Sequence, residues 1–151
     1  MDSTLILDYA ERLAGSSKSL MPSQPAERLK ALRVIGFALA ACEKAVQILY
    51  ERNLRPEEKQ HRPWLDRVQG QLLGAFGLLE REMADGWFGG AKPNQADITV
   101  AVAWRFTQSA IKGAVPANAC PRLAAHSAAA EALPVFQEMD FPDGPPVALS
   151  K

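Results

Sequence analysis

The stretch "PNQADITVAVAWRF", residues 93–106, decides the fold of this chain. Asn94 is a favoured residue for a helix N-cap, and Asp97 stands three positions later, where an acid can bond back to the N-cap backbone. The two residues therefore predict a capping box. The run after Asp97 is almost wholly apolar, which predicts a helix surrounded by other helices rather than one with a wet face. We expect this helix to form the centre of the domain.

Length and composition indicate one all-helical domain. The 151 residues are enough for a single core, and Val, Ile and Thr together number only 16 while Ala is abundant. Basic and acidic residues number 17 each and are interspersed, so no nucleic-acid partner is expected. No apolar run approaches the roughly 20 residues that cross a bilayer, and "MDSTLILDYAERL" carries an acid where a signal peptide would be basic. We expect a cytoplasmic protein with no membrane partner.

Two signals predict the remaining helices. Apolar residues recur at helical spacing, and prolines stand where the first turn of a helix would begin. A short amphipathic helix covers residues 3–13 and stops before Gly15. Long helices cover residues 25–53 and 63–83, "PRLAAHSAAAEAL" starts another helix at Pro121, and Pro134 separates it from a short "VFQEM" helix. We predict a bundle around the central helix.

The first long helix carries a predicted core stripe and two unexpected residues opposite. Phe37 and Ile48 fall on the side that should face water, where they are either scattered surface hydrophobes or part of a ligand groove or subunit contact. The predicted stripe consists of Leu29, Leu32, Ile35, Leu39, Cys42, Val46 and Leu49.

Glycines mark the second long helix. Gly70, Gly74 and Gly77 lie together, opposite an apolar stripe, and each costs a helix up to about 1 kcal/mol relative to Ala. They predict either close approach of another backbone, so that the helix is packed on two sides, or a weaker helix without special packing. The stripe consists of Leu65, Val68, Leu72, Phe76, Leu79 and Met83.

No set of residues predicts a self-contained active site, so no catalytic residue is assigned. Cys42 and Cys120 are expected to be buried thiols, and two histidines with two cysteines, widely spaced, predict no metal site. His126 and Ser127 point about 100° apart on a helix and do not form a base and nucleophile pair. A cap explains the position of Asp97 without a catalytic role.

Three segments carry a resemblance to a known family. Asn94, Asp97 and Ile98, preceded by "GWFGG", resemble the capping box and buried central helix of the C-terminal domain of cytosolic glutathione transferases. "CPRLAAHSAAAEALPVF" is similar to the family's later segment, with His126 where Trp is common. "DSTLILDYAERL" resembles the last helix of the family's thioredoxin-like domain, whose acid and serine bind the γ-glutamyl end of glutathione. Asp2 and Ser3 match that pair.

The resemblance implies a fold and a function. Residues 1–15 would be a remnant of the thioredoxin-like domain and residues 16–151 the helical C-terminal domain. The family's strands, cis-proline loop and glutathione-activating residue would lie upstream of Asp2. The chain would supply the electrophile-pocket wall and dimer contact of a detoxifying transferase, inactive alone. Phe37 and Trp104 are the implied pocket residues.

The implied partners are a second copy of the chain, glutathione as co-substrate and small apolar electrophiles, with no other cofactor. Two alternatives remain open. One is a noncatalytic interaction module, because domains of this shape also serve in assemblies of the translation machinery. The other is a free-standing binder of small apolar ligands, using the surface that the thioredoxin-like half would otherwise cover.

Overall fold

The computed structural model describes residues 3–139, which form α-helices joined by short turns. Within that range there is no β-strand, so the all-helical prediction is confirmed. Each of the first three helices begins and ends within one residue of its predicted position. The helices are α1 Ser3–Ala14, α2 Pro25–Leu54, α3 Arg62–Glu82, α4 Gln95–Ala110, α5 Pro121–Glu131 and α6 Pro134–Glu138.

The core lies around α2 and α4. Helix α2 packs against both α3 and α4, and α4 also packs against α5. The predicted central helix is therefore in contact with helices on two sides, although Val102 remains 46% exposed. No helix in residues 3–139 is long and apolar enough to cross a membrane.

The predicted core stripe of α2 is wrong for three of its four leucines, whereas Ile35 and Leu49 are buried as predicted. Leu29, Leu32 and Leu39 are 69%, 46% and 39% exposed. Ile48, which was expected to face water, is fully buried, and Phe37 is half-buried against the core. Two neighbouring helices cover a broad arc of α2, and small side chains at the contacts let them approach closely. The buried residues of the helix are Ala31, Val34, Ile35, Ala38, Ala41, Ala45, Ile48, Leu49 and Glu51.

The predicted stripe of α3 is confirmed, because every one of its members is buried. Of the two interpretations of the glycines, close approach of another backbone is wrong within residues 3–139, and a helix without special packing on that side remains. No heavy atom lies within 4 Å of a Cβ built on Gly70 or Gly74, and only the Arg81 side chain, at 3.9 Å, approaches one built on Gly77. The glycine face is open, so no second helix of residues 3–139 packs there.

Helix α1 lies apart from the core. It packs chiefly against the turn Ser16–Lys18 that follows it. Leu5, Tyr9 and Leu13 are 67%, 64% and 71% exposed, although they share the helical spacing of a core face. The apolar side of α1 is therefore not covered by the rest of the described chain.

Candidate functional site

The N-terminus of α4 carries both hydrogen bonds of a capping box. The Asn94 side chain accepts from the backbone N–H of Ala96 at 2.7 Å and of Asp97 at 3.3 Å. In return, the Asp97 carboxylate accepts from the backbone N–H of Asn94 at 2.7 Å. Asn94 and Asp97 are both buried, so these N–H groups depend on the two side chains rather than on water.

Asp97 also holds the turn that precedes α4. Its Oδ1 accepts from the backbone N–H of Phe88 at 2.8 Å, and its Oδ2 accepts from that of Gly89 at 3.2 Å. The carboxylate thus satisfies three backbone donors while being 1% exposed. Sequence reasoning predicted the cap but missed this second role, for which the adjoining "GWFGG" was the available signal.

Gly89 is required by the close packing of that turn. A Cβ built on it would lie 2.1 Å from the carbonyl oxygen of Lys92 and 3.0 Å from the backbone nitrogen of Asn94. Both contacts are with backbone atoms, which cannot rotate away as a side chain would. Only glycine fits here while Asp97 keeps its bonds to the turn.

His126 of α5 closes the other side of the Asp97 carboxylate. Its Nε2 lies 3.6 Å from Oδ1 of Asp97 and 3.4 Å from the Asp97 carbonyl oxygen. The Trp87 ring meets the imidazole edge to face, with centroids 5.1 Å apart. The His126 side chain is 4% exposed and that of Asp97 1%. A substrate cannot reach a pair this deeply buried, which supports a structural role for both residues.

The two residues expected in an electrophile pocket lie in different surroundings. Trp104 is 4% exposed and packs edge to face on Phe76, with ring centroids 5.2 Å apart. It therefore stands in the core rather than on an open wall. Phe37 is half-buried, and the guanidinium of Arg33 lies over its ring at 5.5 Å from the centroid. Of the two, only Phe37 is placed to contact a molecule at the surface.

The predicted glutathione contacts stand at the start of the chain. Asp2 lies outside the described residues, and Ser3 is the first residue of α1. The pair therefore remains a prediction from the resemblance.

Neither cysteine has the character of a nucleophile. Burial raises the pKa of the Cys42 thiol. Burial and, after it, the negative charge of Glu80 raise the pKa of the Cys120 thiol. Both groups remain protonated at neutral pH, and a protonated thiol is a poor nucleophile. Among residues 3–139 no group of three or more His, Cys, Asp or Glu side chains is arranged to hold a metal ion.

Glu11 attaches α1 to the bundle, a role that the sequence did not indicate. Its Oε1 accepts from the Ser19 hydroxyl at 2.6 Å and from the backbone N–H of Leu20 and Met21 at 2.8 and 2.9 Å. The carbonyl oxygen of Leu20 then accepts from the backbone N–H of Gln95 at 3.0 Å. These bonds connect α1 to the N-terminal turn of α4.

Comparison with known proteins gives a match to one family model and several similar solved structures. Residues 62–129 match the family model described as the glutathione S-transferase C-terminal domain. No curated protein gives a match to the sequence.

Two solved proteins are similar over nearly the whole chain. A glutathione S-transferase from Methylobacterium radiotolerans, in complex with glutathione sulfonate, has a TM-score of 0.86 at 23% identity, covering 100% of this chain and 69% of that one. A glutathione transferase family member from Pseudomonas fluorescens, with bound S-(propanoic acid)-glutathione, has a TM-score of 0.82 at 26% identity, covering 97% of this chain and 72% of that one. A second structure of the Pseudomonas fluorescens protein, with bound glutathione, has a TM-score of 0.79 at 25% identity, covering 97% of this chain and 68% of that one.

Proposed function

We propose, from the premise that this chain carries the C-terminal helical domain of a glutathione transferase, that it forms the helical half of an enzyme conjugating glutathione to small apolar electrophiles in the cytoplasm. In this proposal residues 16–151 are the helical domain, and residues 1–15 belong to a thioredoxin-like half that binds glutathione. The function rests on both halves together. The 151 residues alone are not expected to catalyse the reaction.

The exposed apolar face of α1 is the observation that carries the proposal. Leu5, Tyr9 and Leu13 lie in solvent at 67%, 64% and 71% exposure, yet Glu11 fixes the same helix to the bundle. A short isolated helix is unstable in water, and an apolar stripe on a helix is normally buried against another element. A thioredoxin-like half would supply that element. The similar solved proteins are longer than this chain, which covers 69% and 72% of their lengths.

The electrophile pocket is proposed to lie where the two halves meet, with Phe37 on its wall. Phe37 is apolar and only half-buried. It belongs to α2, which packs against both α3 and α4. Trp104 takes a supporting position, because its ring packs on Phe76 in the core. Phe37→Ala should therefore raise the KM for an aryl halide, whereas Trp104→Ala should mainly lower stability.

A conjugation assay with glutathione and a chromogenic aryl halide tests the proposal. One protein is the 151-residue chain, and the other carries the part of the thioredoxin-like half that precedes its last helix, taken from the Pseudomonas fluorescens relative and fused ahead of Asp2. We expect saturable turnover only from the fusion, because the family's thiolate donor lies in that half. Saturable turnover by the short chain would contradict the proposal, and its loss in Cys120→Ser would identify the responsible group.

Variants of α1 show whether the two halves meet where proposed. Tyr9→Glu with Leu13→Glu places charges on the exposed apolar face and should abolish turnover by the fusion. Arg67→Glu changes the charge at an exposed position of α3 and serves as the control. Equal loss of activity in both variants would show that the effect is not specific to α1.

A noncatalytic interaction module remains a second candidate, favoured by the exposed leucines of α2. Leu29, Leu32 and Leu54 are 69%, 46% and 49% exposed, and apolar surface of this kind marks contacts with other proteins. A second copy of the chain is the occupant we propose, and it fits the transferase as well; for the noncatalytic module we expect in addition no saturable turnover from the fusion described above. Light scattering should then give a mass above 16.4 kDa at micromolar concentration. Leu29→Glu with Leu32→Glu should restore the monomer, while Ile48 is buried and cannot serve this test.

A further inference from the structure

An open cavity of about 280 Å³ lies near the C-terminal end of α4, opposite the end that carries the capping box. It is formed by the last turn of α2, the first turns of α3 and the turn after α4. Arg52, Arg62 and Lys112 line it together with Asp66 and Gln69. A second, smaller cavity of about 210 Å³ shares Arg52 and Lys112 with it. Three cations from three separate segments thus converge on one depression.

The positive charge of this cavity is only partly neutralised. Arg62 pairs with Asp66 at 3.1 Å, one helical turn further along α3. Within residues 3–139, the side chains of Arg52 and Lys112 have no ion-pair partner. Three cations and one carboxylate leave two positive charges on the lining. That charge matches a doubly charged anion.

The preference of cations for helix C-termini explains the positions of two of the three cations but not that of Arg62. Arg52 and Lys112 stand at the C-terminal ends of α2 and α4, where a cation is favourable next to free carbonyl groups. Arg62, in contrast, is the first residue of α3, where the helix dipole is positive and a cation is unfavourable. An anion in the cavity would be attracted by all three side chains and by the start of α3.

The turn that carries Lys112 is held in place from two directions. The Gln69 side chain donates through Nε2 to the Ala114 carbonyl oxygen, and Gln108 donates to the Val115 carbonyl oxygen at 3.0 Å. Gly113 has φ +79°, a conformation that suits glycine and lets the chain reverse directly after Lys112. The cations therefore stand on a fixed backbone, which lowers the entropy cost of gathering them around a ligand.

The lining also offers hydrogen-bond acceptors. The Asp66 carboxylate lines the cavity and is exposed, so its two oxygens can accept a hydrogen bond from a ligand. These acceptors repel a fully deprotonated anion but bind one that keeps an O–H group. Inorganic phosphate keeps at least one proton at neutral pH, whereas sulfate keeps none.

We propose that the cavity between Arg52, Arg62 and Lys112 is a binding site for a small phosphate compound that also carries a hydroxyl group, with inorganic phosphate as its simplest member. The cations bind the phosphate oxygens, and the Asp66 carboxylate accepts from the hydroxyl. The site is independent of the glutathione function proposed above.

A titration of the full chain with sodium phosphate and with sodium sulfate tests this proposal. Backbone amide resonances of Arg62, Gly113 and Ala114 are followed by NMR at neutral pH and constant ionic strength. We expect saturable shifts with phosphate and at least about fivefold weaker binding of sulfate, because sulfate cannot donate to the acceptors. Phosphate should also raise the melting temperature more than sulfate does.

Charge variants identify the site. Arg52→Gln with Lys112→Gln should weaken phosphate binding by about tenfold or more, since two charge-assisted contacts are lost. Arg67→Gln, an exposed arginine of α3 outside the cavity, should leave binding unchanged. All three positions are exposed, so folding is not at risk, and circular dichroism verifies it.

Several outcomes overturn the proposal. Linear, non-saturating shifts with both salts would show a general ionic effect rather than a site. Equal affinity for phosphate and sulfate would show that the acceptors take no part. Equal weakening by Arg67→Gln and by the Arg52 and Lys112 changes would show that the cavity does not bind the anion.

Discussion

Glu80 of α3 caps the N-terminus of α5 and thereby joins two helices. Its Oε1 accepts from the backbone N–H of Arg122 and its Oε2 from that of Leu123, each at 3.0 Å. The N-cap residue of α5, Cys120, makes no side-chain capping bond. A residue from another helix therefore accepts the first-turn hydrogen bonds that a Ser, Thr, Asp or Asn at the N-cap position normally accepts.

Replacement of Glu80 should loosen α5. Glu80→Ala leaves two first-turn N–H groups without their partner, so we expect a loss of about 1 to 2 kcal/mol. For a chain of this size, that corresponds to a fall of roughly 3 to 6 °C in melting temperature. Glu58→Ala, in the exposed turn after α2, is the control. Equal melting temperatures for Glu80→Ala and Glu58→Ala would show that the Glu80 cap does not contribute to stability.

Replacement of Asp97 should be more costly. Asp97→Ala leaves three backbone N–H groups without their acceptor in a buried site, so we expect a loss of at least about 3 kcal/mol. Asp97→Asn keeps the shape but exchanges one acceptor oxygen for a donor, and should be intermediate. Urea unfolding measures both. A loss for Asp97→Ala as small as that for Glu58→Ala would contradict the three-donor arrangement.

Two glycine substitutions should change the stability of the chain in opposite directions. Gly89→Ala forces a Cβ to 2.1 Å from the Lys92 carbonyl oxygen and should break the turn. Gly74→Ala meets no atom within 4 Å and lies inside a helix, so it should stabilise by up to about 1 kcal/mol. Thermal melts of the two variants are compared with the parent chain. Destabilisation by Gly74→Ala together with a lower mass in light scattering would instead mean that another copy packs on the glycine face.

The attachment of α1 should weaken in acid. Bonds from Ser19, Met21 and Leu20, together with the charge of Arg28, hold the pKa of Glu11 below its ordinary value of 4.5, although burial opposes them. Because the folded-state pKa lies below the unfolded value, the Glu11 carboxylate stabilises the fold above pH 4.5. This stabilisation is lost as pH falls through the folded pKa. The stability difference between the parent chain and Glu11→Gln should shrink over that acidic window. A difference that is constant with pH would exclude this role for the Glu11 charge.

The sequence predicted the helices and the central cap because those signals are local. Pro25 and Pro121 sit in first turns, Gly15 follows a helix end, and the Asn94 and Asp97 pair needs only three residues of separation. The exposed leucines of α2 could not be predicted in this way. Apolar spacing tells which residues share a face, but the number and size of the neighbouring helices decide which face is buried.

Long-range polar contacts were equally hidden from the sequence. Glu80 reaches Leu123 across 43 positions, and Gln69 reaches Ala114 across 45. An isolated Glu or Gln on a helix gives no sign that its partner is a distant backbone group. The basic cavity could not be predicted from the sequence for the same reason, because Arg52, Arg62 and Lys112 come together only after the helices have packed.

The separate attachment of α1 divides the chain into two units of different local stability. Opening α1 breaks a few exposed bonds around Glu11, whereas freeing the amides of Phe88 and Asn94 requires the Asp97 carboxylate to leave the core. Amide hydrogens of α1 should therefore exchange with solvent through local opening, and those of Phe88 and Asn94 only when the bundle unfolds as a whole. A protease in limited digestion would accordingly first cut between Gly15 and Leu20, leaving the remaining helices as a resistant fragment.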